Sequence, residues 1–306
     1  MGEAQRGRTE ENYAIVHAVD SGANSRTPTV VGLNRLGNSR PRMKGMASSA
    51  DSSHLQTVPM RWCTFIDILG FSKLWESRQC KALNALRELM GAIHRVGTLA
   101  YPGERERLFV HQMGDGFAIV SDFGERSFER SFERPLGIAS ALMRHLASTG
   151  TFATAAVAEG EFSDITGCYP EEVMKDCEDG HVVRLGAGLM TLSRVMGTAF
   201  IRAYSLHAHA PSGPFVVVSE AHKDRVPCGF EFRSVQGKGD SKLSSIDWMR
   251  AENPTIARVQ AAAALRAPKA EELVQAIQSY CAEYPCVRGK WSGHLRTLLS
   301  VDVKSD

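Results

Sequence analysis

Two aspartates in this 306-residue chain stand where a carboxylate can do chemistry. Asp67 closes the apolar run MRWCTFIDIL (Met60–Leu69), and Asp115 lies between two glycines in RLFVHQMGDGFAIVSDF (Arg107–Phe123). A single aspartate at a strand end is ordinarily a solvated carboxylate or the N-cap of the next helix. The pair is different, because a strand C-terminus and a hairpin tip on adjacent strands would set two anionic donors side by side. Two carboxylates with open positions hold hard divalent cations, and such a centre stabilises both the attacking and the leaving oxygen in phosphoryl or nucleotidyl transfer. The backbone amides from Ile68 to Ser72, at the start of a helix, would cradle phosphates.

The elements that must position these residues can be read from periodicity. Met60–Leu69, with Trp, Ile and Phe, reads as a buried strand. From Ser72 onward Leu83, Leu86, Met90 and Ile93 recur at spacings of three and four, which predicts a helix with that stripe inward, ending at Tyr101-Pro102-Gly103. Leu108/Val110 and Phe117/Ile119 alternate around Gly114-Asp115-Gly116, a hairpin signature. The tandem SFERSFER (Ser127–Arg134) reads as a charged loop or helix start, Pro135–Thr149 as a helix, and Phe152–Phe162 as a strand. Helical periodicity runs through His181–Leu206, followed by a strand at Pro214–Ser219 and a Gly-interrupted hairpin over Phe232–Trp248. Alternating strands and helices of this kind predict an α/β fold with a mixed sheet. Further helices are expected at Ala257–Leu265 and Ala270–Tyr284.

Composition sets the organisation. Residues 1–56, rich in Gly, Ser, Asn and Arg without apolar periodicity, read as a disordered tail; 57–250 read as one catalytic domain and 251–306 as an α-helical C-terminal extension. A net charge of +2 with scattered Lys and Arg gives no nucleic-acid footprint. Seven cysteines without a CxxC pair suggest neither a disulfide framework nor a zinc site, which fits a reducing cytoplasm. No apolar run approaches the roughly 18 residues of a membrane span, and the N-terminus lacks a signal-peptide pattern.

FIDILGFS and HQMGDGFAIV resemble, in order, spacing and residue type, the paired metal motifs of the class III adenylate and guanylate cyclases. The resemblance continues through AAVAEGEF, GAGLMTLSR and PSGPFVVVSEAHKD, over about residues 60–248. It implies a ferredoxin-like core and a head-to-tail homodimer in which both chains build each active site. It further implies two divalent ions per site, Mn²⁺ or Mg²⁺, held by Asp67, Asp115 and the carbonyl of Ile68. Leu69, Gly70, Phe71 and Ser72 would hold phosphates, and Arg194 would meet the α-phosphate across the dimer interface in the transition state.

The chain departs from the family where the base is read. Four residues before the second metal aspartate, the place of Lys or Glu in purine cyclases, stands His111. The second base-reading place falls on Val183, and the usual Asn four residues before the arginine is Met190. Gln236 replaces the first Lys of the family's KGK hairpin, with Lys238 two residues on. At Val183 and Met190 a polar purine edge would meet apolar side chains. With the AVAEGEFSDI strand, this pattern is similar to the bacterial pyrimidine cyclases of Pycsar anti-phage systems, which make cyclic UMP or, less often, cyclic CMP to activate an effector. The expected substrate is UTP; the alternatives are a cytidylate or purine cyclase, or a silent nucleotide-sensing dimerisation module. His111 also has an ordinary reading as a hydrogen-bonded structural histidine, and Phe71 and Trp75 as core.

Overall fold

The computed structural model describes residues 60–103, 108–122, 128–178, 181–193, 195–285, 287, 289–291, 294 and 299. These belong to the unit His54–Asp306, and the expected tail at 1–56 lies outside the described residues. In chain order the elements are β1 (Met60–Ile68), α1 (Phe71–Ser77), α2 (Gln79–Arg95), β2 (Leu108–Met113), β3 (Gly116–Asp122), α3 (Phe128–Ala147) and β4 (Ala153–Glu161). After β4 come the short β5 (Ser163–Asp164), α4 (Glu171–Lys175), β6 (Cys177–Glu178), β7 (Val182–Leu185), β8 (Gly188–Thr191) and β9 (Val195–Met196). The chain continues through α5 (Thr198–His209), β10 (Val216–Ser219), β11 (Phe232–Gln236), β12 (Lys242–Ile246), α6 (Pro254–Ala262) and α7 (Ala270–Glu283).

The main sheet runs β11-β12-β10-β4-β1-β3-β2. Its β4-β1-β3-β2 part, with helices after β1 and after β3, is the ferredoxin-like double split-βαβ arrangement. The pairs within that part are antiparallel, and β10 joins β4 in parallel, so the sheet is mixed, as expected from the alternation of elements.

β1 lies between β3 and β4 and is covered on both faces, which is why it reads as a continuous apolar run. Strand geometry sends alternate residues to opposite sides. Trp62, Ile66 and Ile68 join the large core with α2, α3, α6 and α7, whereas Cys63 and Phe65 join a smaller cluster with Ala199 and Ala203 of α5. The small residues of β4 and α5 allow a close approach: a Cβ on Gly160 would sit 2.6 Å from Thr198 Oγ1 and 2.7 Å from the Thr198 carbonyl carbon. By the same alternation Asp67, two residues on from Phe65, belongs to the α5 side. That register places the first aspartate.

Two expectations are corrected. The buried face of α2 is Ala82, Ala85, Leu89, Ala92 and Ile93, while Leu83 and Met90 are exposed at 46% and 42%. The neighbouring stripe had larger apolar residues, but the alanine-rich face lets the helix lie closer to the core. SFERSFER, read as a loop or a helix start, is the start of α3, which begins at Phe128 and carries Pro135 inside it. The first part of His181–Leu206 is strand: Leu185 pairs with Gly188 around a two-residue turn, where Gly186 takes φ +61°. Only from Thr198 does the helix begin.

The C-terminal helices pack into the large core through Ile256, Val259, Leu273, Ile277 and Cys281. Arg144 of α3 donates to the carbonyls of Trp248 at 2.8 Å and Ala251 at 2.7 Å, fixing the chain as it leaves β12. His145 accepts from the Arg266 amide at 3.1 Å through Nδ1, with Nε2 2.8 Å from Glu88 Oε1, so the α6–α7 connection is tied to α2 and α3. No described helix is long and apolar enough to cross a membrane.

Candidate active site

Asp67 pairs across the sheet with Gly116, the residue after Asp115. Met113 pairs with Gly116, so Gly114 and Asp115 form the two-residue tip of the β2–β3 hairpin, and Gly114 takes φ +65°, which glycine adopts without strain. Gly116 must be small for another reason. A Cβ there would lie 3.0 Å from Asp67 Oδ1 and 2.8 Å from Phe65 Cζ. The register therefore lets the Asp67 carboxylate lie over the backbone of the hairpin tip and reach the Asp115 side chain, with which it shares a hydrogen bond.

Such proximity between like charges has a cost. Burial first, and then the negative charge and hydrogen bond of Asp115, push the Asp67 carboxyl up to about 7, against the opposing Ile68 amide. Asp67 thus gives up its proton less readily than a free carboxylate. A divalent cation would offset the repulsion between the two carboxylates, and two such groups beside an open cavity suit a hard ion. Among the described residues no group of three or more His, Cys, Asp or Glu side chains could hold a metal, so the other donors would be carbonyl, water or substrate oxygens. The donor set fits that role.

The pair opens into a cavity of about 380 Å³ that also meets Ile68, Leu69, Gly70, Phe71, Ser72 and Lys238. Of the five expected phosphate amides, two are occupied: Ile68 N–H serves the Asp67 carboxylate, and Leu69 N–H donates to Phe152 O at 2.8 Å. The usable cradle is the run Gly70–Ser72 at the start of α1. Lys238 follows β11, and its Nζ is 3.4 Å from Ala208 O.

His111, Val183 and Met190 are placed elsewhere in the protomer. His111, on β2 opposite Ala118, lines a second, mostly apolar cavity of about 360 Å³ with Phe109, Phe162, His181 and Ser193. Val183, buried, pairs with Met190 across β7 and β8, and neither lines the aspartate cavity. Arg194 lies outside the described residues.

Similar chains exist among solved structures. A bacterial light-regulated adenylyl cyclase is similar over 71% of this chain and 58% of its own, at 10% identity and a TM-score of 0.40. The guanylyl cyclase domain of the RhoGC fusion protein from the aquatic fungus Blastocladiella emersonii is similar over 62% of this chain and 94% of its own, at 13% identity and a TM-score of 0.39. A class III adenylyl cyclase-like ATP-binding protein from Pseudomonas aeruginosa is similar over 74% and 44%, at 12% identity and a TM-score of 0.34. The chain spans less than two thirds of the length of the first and the third. No family model and no curated protein matches the chain. Likeness at this level carries no argument about activity, which must rest on the site.

Sequence reasoning missed several residues of that site. His207 of α5 has Nε2 3.9 Å from Asp67 Oδ2 and its ring edge-on to Phe65 at 5.0 Å. Burial, and then the charge of Lys238, lower its imidazole to about 4, so it faces the aspartates neutral. Thr154, paired with Asp67 on β4, donates to Gly213 O at 2.9 Å and joins the cavity wall. Lys73, Tyr280, Lys290 and Trp291 also line the cavity. Thr154 could have been found from strand pairing, whereas the C-terminal residues had no local signal.

Proposed function

We propose that the chain is a nucleotidyl cyclase that converts UTP into 3′,5′-cyclic UMP and pyrophosphate. The observation that carries this reading is the hydrogen-bonded Asp67–Asp115 pair opening on one cavity with the Gly70–Ser72 backbone and lysines on its walls. Asp67, Asp115 and the Ile68 carbonyl would hold two divalent ions, Mn²⁺ or Mg²⁺. When bound, the ions neutralise phosphate charge and acidify the ribose 3′-hydroxyl. The amides of Gly70, Phe71 and Ser72 hold the β- and γ-phosphates so that the 3′-oxygen can reach the α-phosphorus in line. Pyrophosphate leaves opposite the attack, as the O–P bond of the ring forms. Arg194, supplied by the second copy in a homodimer with shared sites, neutralises charge that develops on the α-phosphoryl oxygens.

Residues 57–250 form the catalytic domain in this reading, and 251–306 a helical extension to it. The pyrimidine preference rests on His111, the one of the three base-reading places that lines an open cavity, where neither the Lys nor the Glu of a purine cyclase is present; each buried polar group of a purine left without a partner costs about 1–3 kcal/mol. The product would act in the cytoplasm as a second messenger for an effector in anti-phage defence. Incubating the full chain with each of UTP, CTP, ATP and GTP and Mn²⁺ should give cyclic UMP with the highest kcat/KM, and His111→Ala should narrow the gap. Preference for ATP or GTP would overturn the pyrimidine assignment, and no cyclic product from any of the four would overturn the cyclase reading.

A further inference from the structure

The cavity described above is built from two distant parts of the chain. Tyr280 of α7 and, beyond it, Val287, Lys290 and Trp291 reach the wall that also carries Lys73 and Lys238. Their position is fixed by an aromatic anchor. Trp291, 4% exposed, stacks on Tyr280 at 5.6 Å and meets Phe152 edge-on at 6.1 Å. Phe152 immediately precedes β4 and its carbonyl takes the Leu69 amide, so the anchor ties the C-terminal chain to the loop that follows Asp67. On the other side, a Cβ on Gly213 would lie 3.8 Å from Trp291 Cδ2. Lys290, the residue before this anchor, is thereby held at the cavity while its side chain stays exposed.

Three lysines line the cavity that holds Asp67 and Asp115, with no carboxylate salt bridge to any of them among the described residues, which suits an anion placed between them. A triphosphate together with the carboxylates of Asp67 and Asp115 carries more negative charge than two divalent ions neutralise, and phosphate oxygens away from the ions are left for the lysines. We propose that Lys290 is a substrate-binding residue of this site, contacting the β- and γ-phosphates and, after the reaction, the pyrophosphate. The C-terminal chain then completes the phosphate wall. The inference rests on the cyclase reading for its substrate but not for its test.

The test compares the full-length wild type with Lys290→Ala, Lys290→Arg and, as a control for lost charge, Lys175→Ala on the distant α4. Binding of inorganic pyrophosphate with Mn²⁺ is measured by calorimetry, and KM, kcat and pyrophosphate inhibition are measured where turnover is present. Lys290→Ala should weaken pyrophosphate binding about tenfold or more, the size of one lost charge-assisted contact. It should raise KM and the inhibition constant together, with an unchanged melting temperature; Lys290→Arg should recover most of the binding, and Lys175→Ala should behave as wild type. Equal pyrophosphate affinity in wild type and Lys290→Ala would overturn the inference even if the enzyme is an active cyclase. An inactive wild type that still binds pyrophosphate through Lys290 would instead sink the cyclase reading and leave this site standing.

Discussion

At the scale of the residue, the site is a pair of acids that the fold holds closer than they would choose in water. The Asp67 carboxyl, at about 7 in the protein, is ionised in the unfolded chain from about 3.8 upward, so folding takes up a proton between those values. Stability contributed by this group is therefore full below about 3.8, falls as pH rises from there to about 7, and levels off above. Asp67→Asn removes the dependence. In metal-free buffer with chelator, its melting advantage over the wild type should be several degrees larger at pH 8 than at pH 5, at about 2–4 °C per kcal/mol for a domain of this size. A melting difference that does not grow with pH would show that the two carboxylates are not strained against each other. Asp67→Ala and Asp115→Ala should each leave the protein folded and reduce cyclic nucleotide synthesis below about 1% of wild type, because a metal carboxylate has no substitute. Near-normal turnover in either variant would rule out the two-metal assignment.

At the scale of the element, the position of Asp67 depends on how closely α5 can lie on β4. Ala199 and Ala203 face Ala158 in the smaller core, and the backbone at Thr198 leaves no room for a Cβ at Gly160. Gly160→Ala should push the start of α5 off the sheet and cost about 1–3 kcal/mol. Since α5 also carries His207 to the aspartates, kcat should fall along with the midpoint of chemical denaturation. A variant with wild-type stability would mean that the contact relaxes at no cost. The hairpin tip tolerates little change for a different reason: Gly114 supplies the left-handed turn, and Gly116 clears the space in which the Asp67 carboxylate lies.

At the scale of the whole molecule, the protomer keeps the aspartate cavity and the His111 cavity apart. A nucleotide that needs both is served if a second copy brings its His111 and Arg194 to the first copy's aspartates, as the homodimer in the proposed function requires. Asp67→Ala and Arg194→Ala chains, each inactive alone, should then recover activity when mixed, with up to half of the wild-type activity per heterodimer, since one of its two sites is intact. Verified heterodimers without any recovered activity would count against shared sites.

The local signals were sufficient for the parts of this protein that are local. A strand ending in Asp67, a glycine-flanked turn carrying Asp115 and the alternation of strands and helices were all legible, because turn chemistry and side-chain periodicity act over a few residues. On α2 the large apolar residues mark one stripe in the sequence, while packing favoured the alanine-rich face that could approach more closely. The strand pair β7–β8 was misread because a short apolar run between glycines satisfies either period. The sequence by itself determined which carboxylates could meet and the kind of chemistry that would serve. Only the tertiary structure decided that burial and Asp115 raise the Asp67 carboxyl, that His207 stands neutral beside it, and that Lys290, more than 200 residues from Asp67, lines the same cavity. Burial, desolvation and contacts between distant segments are properties of the folded chain, and no window of sequence contains them.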